Sequence, residues 1–228
     1  MPKSHALGRS YPEVMTESST FLSHVLWLGG PPDAGKTSIA NTLADWHGLQ
    51  VYHFDQHEAA HMQRADAEKK PALWAARPEN LTPEQRWLTF TPEEMGYATI
   101  DAWSERFEYA CEDLLDMPKR PPIIAEGPGF FPDLLMMVMD EPRQAVFLLP
   151  SDEFKARSFG RRAKPADRDQ TTNPEQASLN LITRDFYMTE HIHDRAEALG
   201  LTIIEVDGTR PIDDIASEIE EQWGPWLH

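Results

Sequence analysis

The sequence predicts an α/β fold built on a parallel sheet with helices on both faces. Short apolar runs alternate with amphipathic segments along the chain, and the runs are continuously apolar, as strands buried on both faces require. A third observation is the stretch Trp27–Ser38, WLGGPPDAGKTS, which sets two glycines, two prolines and a lysine where the first apolar run gives way to a helix-like one.

Residues 1–20 are polar and without period, and read as a tail preceding a single domain over 21–228. FLSHVLWL (21–28) is the first strand, and KTSIANTLADWHG the first helix, with Gly48 near its stop. LQVYHFD (49–55) is the second strand, PPIIAEG (121–127) the third, QAVFLLP (144–150) the fourth and LTIIEVDG (201–208) the fifth, and IDDIASEIEEQW closes the chain as a helix. Two connections exceed plain crossovers. Residues 56–120 carry Trp74, Trp87, Phe90, Tyr97, Trp103 and Phe107, and read as a helical insert whose aromatic residues serve mainly as packing. Residues 151–180 are polar, arginine-rich and interrupted by prolines.

With 38 acidic against 21 basic residues, the chain carries a formal charge of -17. Such a surface repels nucleic-acid backbones and anionic membranes, and leaves room for a small anion in one local basic site. Cys111 is the only cysteine, which excludes an intrachain disulfide and multi-cysteine zinc sites. No run approaches the roughly 18–20 apolar residues of a membrane span, and the start lacks a signal-type apolar core. The expected location is the cytoplasm.

Gly30-x-x-x-x-Gly35-Lys36-Thr37 matches the phosphate-binding pattern G-x-x-x-x-G-K-[ST] once. Glycines let the backbone curl so that N–H groups converge on phosphate oxygens, and the following helix adds its positive end. Lys36 reaches the β- and γ-phosphates, and the Thr37 hydroxyl is a ligand for Mg²⁺. Pro31 and Pro32 stiffen the beginning of the loop, and Ala34 through Ser38 supply donors, so Gly30, Pro31, Pro32, Asp33, Ala34, Gly35, Lys36, Thr37 and Ser38 form the expected ATP-binding set.

On this loop the chain resembles the P-loop kinases of the nucleoside-monophosphate-kinase type, the group of adenylate, shikimate and gluconate kinases and chloramphenicol phosphotransferase. The resemblance runs in order through about residues 21–215 and is most specific in GPPDAGKTS. It implies a P-loop NTPase three-layer α/β/α sandwich with a five-stranded sheet of order 2-3-1-4-5, an acceptor-binding region after strand two and a lid after strand four. The family often has glycine where this chain has Asp33. Aspartate tolerates positive φ better than most residues, but its charge opposes bound phosphate.

Asp55 ends the second strand reading in YHFDQHE, at the sheet edge where ligands of open α/β sheets bind. In the resembling kinases an aspartate here contacts the acceptor hydroxyl or acts as its base; a helix N-cap is the alternative role. Glu126 in IIAEGPGFFP stands where the family often has an acid followed by glycine, and the resemblance implies a carboxylate on a Mg²⁺-bound water beside Thr37 or one that positions the acceptor. Gly127 and Gly129 are expected to leave room for a ligand. His53, His57 and His61 read as solvent-facing or acceptor-binding residues rather than metal ligands.

Residues 155–168, KARSFGRRAKPADR, hold six basic residues and one acid, a local reversal of sign on an acidic chain. Guanidinium groups stabilise the charge that phosphoryl transfer spreads over phosphate oxygens. Arg157, Arg161 and Arg162 therefore suit a lid over ATP, and Arg184 is a further candidate. The family also implies that the loop in VDGTRP (206–211) borders adenine. Arg64, Arg77 and Arg86 are candidates for an acceptor phosphate, but the arginine of the full DGFPR motif is missing, with Asp133 following EGPGFFP. The reading is an ATP- and Mg²⁺-dependent kinase of a small-molecule hydroxyl, with a nucleoside monophosphate kinase or a non-catalytic ATP-binding regulator as alternatives.

Overall fold

Strand β1 (Val25–Gly29) is buried along its whole length, and its side chains alternate between two apolar layers. Val25 and Trp27 join one layer, and Leu26 and Leu28 the other. The neighbouring strands repeat this division, because a strand with helices on both faces needs apolar residues at every position. The computed structural model describes residues 22–161 and 167–227; the expected tail lies outside the described residues.

Strands β2 (Gln50–His53), β3 (Ile123–Glu126), β4 (Ala145–Pro150) and β5 (Thr202–Val206) complete an all-parallel sheet of order β2-β3-β1-β4-β5. Glu126 is level with Leu28 on one side and His53 on the other, so the last residue of β3 stands between the edge strand and the loop that follows β1. On one face Trp27, Ala125 and Phe147 pack with Phe107 and Leu114 of α4 (Pro92–Asp116), Leu135 of α5 (Pro132–Leu135) and Ile192 of α7 (Pro174–Ala198). On the other, Leu28, Ile124 and Val146 pack with Ile39 and Leu43 of α1 (Lys36–His47) and Ile219 and Trp223 of α8 (Ile212–Trp223). The result is a three-layer α/β/α sandwich.

Between β2 and β3 the chain forms α2 (Glu58–Arg64), α3 (Pro71–Ala75), a wide helical turn (Gln85–Thr89) and α4. The sequence Thr-Pro-Glu-Glu starts α4 for local reasons: Thr91 and Glu94 form a reciprocal capping box, and Pro92 occupies the first turn. Of the insert's aromatic residues, Phe107 belongs to the main core, Trp103 packs against it, and Trp87 centres a small cluster with Met95 and Ala177. Trp74, Phe90 and Tyr97 are exposed. After β4 come α6 (Asp152–Arg161) and a short turn (Asp167–Gln170) leading to α7. Among the described residues no helix is long and apolar enough to cross a membrane.

Candidate active site

The loop from β1 to α1 is shaped by close backbone approach. A Cβ on Gly30, which has φ +128°, would lie 2.1 Å from the Leu148 carbonyl oxygen of β4, so only glycine lets β1 pass there. Asp33 adopts φ 68°, the left-handed region that aspartate enters more readily than most residues. Helix α1 then starts without a side-chain cap and without an acid in its first turn. Its N-terminal N–H groups and the positive end of its dipole therefore face the loop without a side-chain cap, which is the physical basis of anion binding at a helix start.

Lys36 is buried, and its Nζ donates to the Pro31 carbonyl at 2.8 Å. Burial lowers its pKa to about 8, against the opposing pull of Glu126 and Asp55, with Lys155 acting in the same sense as burial. The Thr37 hydroxyl donates to Glu126 Oε1 at 3.0 Å, and the same oxygen accepts from His53 Nδ1 at 2.8 Å. A carboxylate can only accept, which assigns the proton to that ring nitrogen. Glu126 is buried, and its contact with Thr37 brings the two expected metal-site residues together. A hydroxyl and a carboxylate are hard oxygen donors that fit Mg²⁺, an ion that keeps several waters. Among the described residues no group of three or more His, Cys, Asp or Glu forms a metal site, so a cation here would take its other ligands from water and phosphate.

The second strand is shorter than its sequence reading. It ends at His53, and Asp55 lies in a helical turn (Phe54–His57) rather than at the strand end. The reason is Phe54. Its side chain turns into the space above Gly127 and Gly129, where an added Cβ on either glycine would come within 2.3 Å of it. These glycines were expected to leave room for a ligand; they leave room for Phe54 instead. The Arg106 guanidinium lies over the same ring, 3.8 Å from its centre. Gly127→Ala, with its new methyl against Phe54 Cβ, is expected to cost about 1–3 kcal/mol by overpacking, or roughly 2–10 °C in Tm. Calorimetric unfolding checks this, and an unchanged Tm would show that the turn yields freely.

Arg106 is wholly buried and was not singled out from sequence. It donates to the Phe54 carbonyl, one residue before Asp55, and through Nε to His61 Nδ1 at 3.2 Å. His61 Nε2 then donates to Asp113 Oδ2 at 2.7 Å, and the Tyr52 hydroxyl donates to the same oxygen at 2.8 Å. His61, read as exposed or acceptor-binding, is thus an enclosed link between α2 and α4, and burial lowers its pKa. His57 stacks on Tyr52. Asp55 itself is open to solvent. The protein mass around it raises its pKa above the ordinary carboxylate value, while Lys36 and Arg106 draw it down.

On the opposite side of the loop, Arg157 of α6 donates to the Asp207 carbonyl at 2.8 Å, and Phe154, Arg157, Asp207, Gly208 and Thr209 line a shallow cleft. The loop after β5 and the first expected lid arginine therefore border one space. Arg184 is paired with Asp185 at 2.6 Å. Arg162 and the side chain of Arg161 lie outside the described residues. Arg64 pairs with Glu112, Arg77 with Glu79, and Arg86 donates to the Ala76 carbonyl at 3.0 Å, so each is engaged within the insert. Asp133, at the position of the missing motif arginine, accepts from Arg195 Nε of α7 at 2.8 Å.

The structure thus gathers Lys36, Thr37, Glu126 and Asp55 at one edge of the sheet, with Arg157 across the loop. Sequence reasoning missed His53 as a partner of Glu126, Arg106, and the buried pair Lys155–Asp185. The only sequence signal for Arg106 was helical spacing, which sets it one residue before Phe107 and four before Ala110 on the inner side of α4.

No family model matches the chain, and a search of curated proteins finds no match. Among solved structures, shikimate kinase from Acinetobacter baumannii in complex with shikimate aligns at 18% identity and TM-score 0.43, over 90% of this chain and 95% of that one. Deoxyadenosine kinase from M. mycoides aligns at 11% identity and TM-score 0.46, over 88% and 99%. A Thermus thermophilus protein aligns at 15% identity and TM-score 0.47, over 85% and 96%. The observed sheet order β2-β3-β1-β4-β5, all parallel with helices on both faces, is the order expected from the resemblance.

Proposed function

We propose that the protein is an ATP-dependent phosphotransferase that moves the γ-phosphate to a hydroxyl of a small-molecule acceptor. The observation that carries this reading is the convergence, at one sheet edge, of an uncapped helix start with a buried lysine, the Thr37–Glu126 oxygen pair and the Asp55 carboxylate. A regulator that only binds nucleotide has no use for Asp55.

In this reading Gly30–Ser38 and Lys36 hold the phosphate chain, and Arg157 with the loop after β5 borders the base. Arg157, Arg161 and Arg162 belong to a lid over residues 151–180, and residues 56–120 hold the acceptor. Thr37 and Glu126 would hold Mg²⁺, which when bound neutralises phosphate charge. Asp55 orients the acceptor hydroxyl and takes its proton as the new O–P bond forms; the bond between the γ-phosphorus and its bridging oxygen breaks, and ADP leaves with that electron pair. The raised pKa of Asp55 suits a proton acceptor, and Arg106 holds the backbone that aims it. The single cysteine and the use of ATP fit a cytoplasmic setting.

Incubation with γ-labelled ATP and a panel of hydroxyl metabolites and nucleoside monophosphates tests the proposal. Label on a hydroxyl metabolite supports it, label only on nucleoside monophosphates changes the acceptor class, and ATP binding without any transfer would leave a regulator.

A further inference from the structure

Lys155 stands apart from the rest of the basic run. Its side chain is 1% exposed, and its Nζ donates to the Pro32 carbonyl at 2.6 Å and pairs with Asp185 Oδ2 at 2.8 Å. The same nitrogen lies 3.7 Å from Asp33 Oδ2. Asp185 is also buried and receives Arg184 through Nε at 3.0 Å and Nη2 at 2.6 Å. Two cations and two carboxylates, drawn from α6, α7 and the phosphate loop, thus meet in one enclosed cluster. A buried ammonium needs an opposite charge, and Asp185 supplies it to Lys155. That pair alone does not require the loop. Yet Lys155 reaches past it to the Pro32 carbonyl and to Asp33, the one acid inside a loop otherwise built for anions.

We infer that Lys155 is a positioning residue of the phosphate loop supplied by α6, which fixes the Pro32–Asp33 peptide and cancels the charge of Asp33. The loop then accepts a polyphosphate only while α6 is docked. With α6 displaced, Asp33 faces the phosphates without this ammonium and opposes their binding. The affinity of the loop is in this way tied to the position of the helix that begins the lid. The inference rests on the nucleotide-binding half of the proposed function and makes no use of the acceptor.

Titration calorimetry of the full chain with inorganic tripolyphosphate and with Mg²⁺-ATP tests it. Lys155→Met is expected to weaken tripolyphosphate binding about 30-fold, the size of one charge interaction over several ångströms near the surface. Adding Asp33→Asn, which tolerates the same backbone conformation, is expected to restore affinity to within about threefold of wild type, because coupled neighbours are not additive. Should Lys155→Met fail to fold, Lys155→Met/Asp185→Asn removes the two facing charges together, and the same rescue by Asp33→Asn is measured there. Unchanged binding after loss of Lys155 overturns the inference. So does a loss that Asp33→Asn leaves in place, which would make Lys155 a direct phosphate ligand or a mere prop. Wild-type protein that binds neither ligand overturns the nucleotide reading itself, whereas wild-type binding without rescue overturns only the role given to Lys155.

Discussion

Replacement of Lys36 by methionine is expected to lower phosphoryl transfer about 10³-fold, the usual loss when a main transition-state donor is removed. The fold should not suffer. Burial lowers the pKa of Lys36 to about 8, which means that the protein holds the charged form less readily than water does. A lysine whose folded pKa lies below its unfolded value costs stability in full below about pH 8, and that cost fades as pH rises from about 8 to the ordinary lysine value of 10.5. Methionine removes the charge and keeps most of the aliphatic stem, so Tm at neutral pH should hold or rise. The same pKa sets a pH dependence for the wild type. Phosphate binding requires the ammonium, so nucleotide affinity should decline above about pH 8, and binding near that pH should take up protons. Calorimetry in two buffers of different ionisation enthalpy reads the uptake. Wild-type turnover in a folded Lys36→Met protein would remove this residue from the site.

Asp55→Asn is expected to lower kcat by about 10²–10⁴-fold while Mg²⁺-ATP affinity stays within a few-fold of wild type, because an amide keeps the shape but accepts no proton. Here too the sign for stability is favourable. A carboxyl whose pKa is raised in the folded state disfavours folding when ionised, so the neutral amide should not lower Tm at pH 7. The wild-type acid limb of kcat should follow a carboxyl that titrates above its ordinary value, and that limb should disappear from the residual activity of the variant. A parallel loss of nucleotide affinity would instead place Asp55 in the phosphate or metal region.

These two residues also show what the sequence made legible. Lys36 was readable as a candidate because the pattern that carries it is local: its glycines, lysine and hydroxyl act through backbone geometry spanning eight residues. The strands were readable because burial on both faces demands unbroken apolar runs, while their order came only with the resemblance. Asp55 was singled out by its nearness to a strand end, but its actual setting was hidden. The turn that holds it depends on Phe54 meeting Gly127 and Gly129, more than seventy residues away, and on Arg106 from a different helix. Lys155 was visible only as one charge in a basic run. What separates it from Arg157 is burial against Asp185 and Pro32, a tertiary fact with no local signature. Long-range pairing of polar groups is set by packing, and packing leaves no period to read.

The wide turn before α4 is fastened to α7 and to the segment that leads into it. Glu84 accepts from the backbone N–H and the hydroxyl of Thr172 at 2.9 and 2.6 Å, Trp87 Nε1 donates to Asp167 at 2.9 Å, and Asn180 donates to the Trp87 carbonyl at 2.8 Å. The two long connections of the sheet therefore do not behave as exchangeable cassettes. A chimera that grafts a foreign segment in place of residues 56–120 would remove the seats of Asp167, Thr172 and Asn180 along with the native segment. Any exchange of this segment thus calls for the donor's segment and its matching return into α7 to be transplanted as one piece.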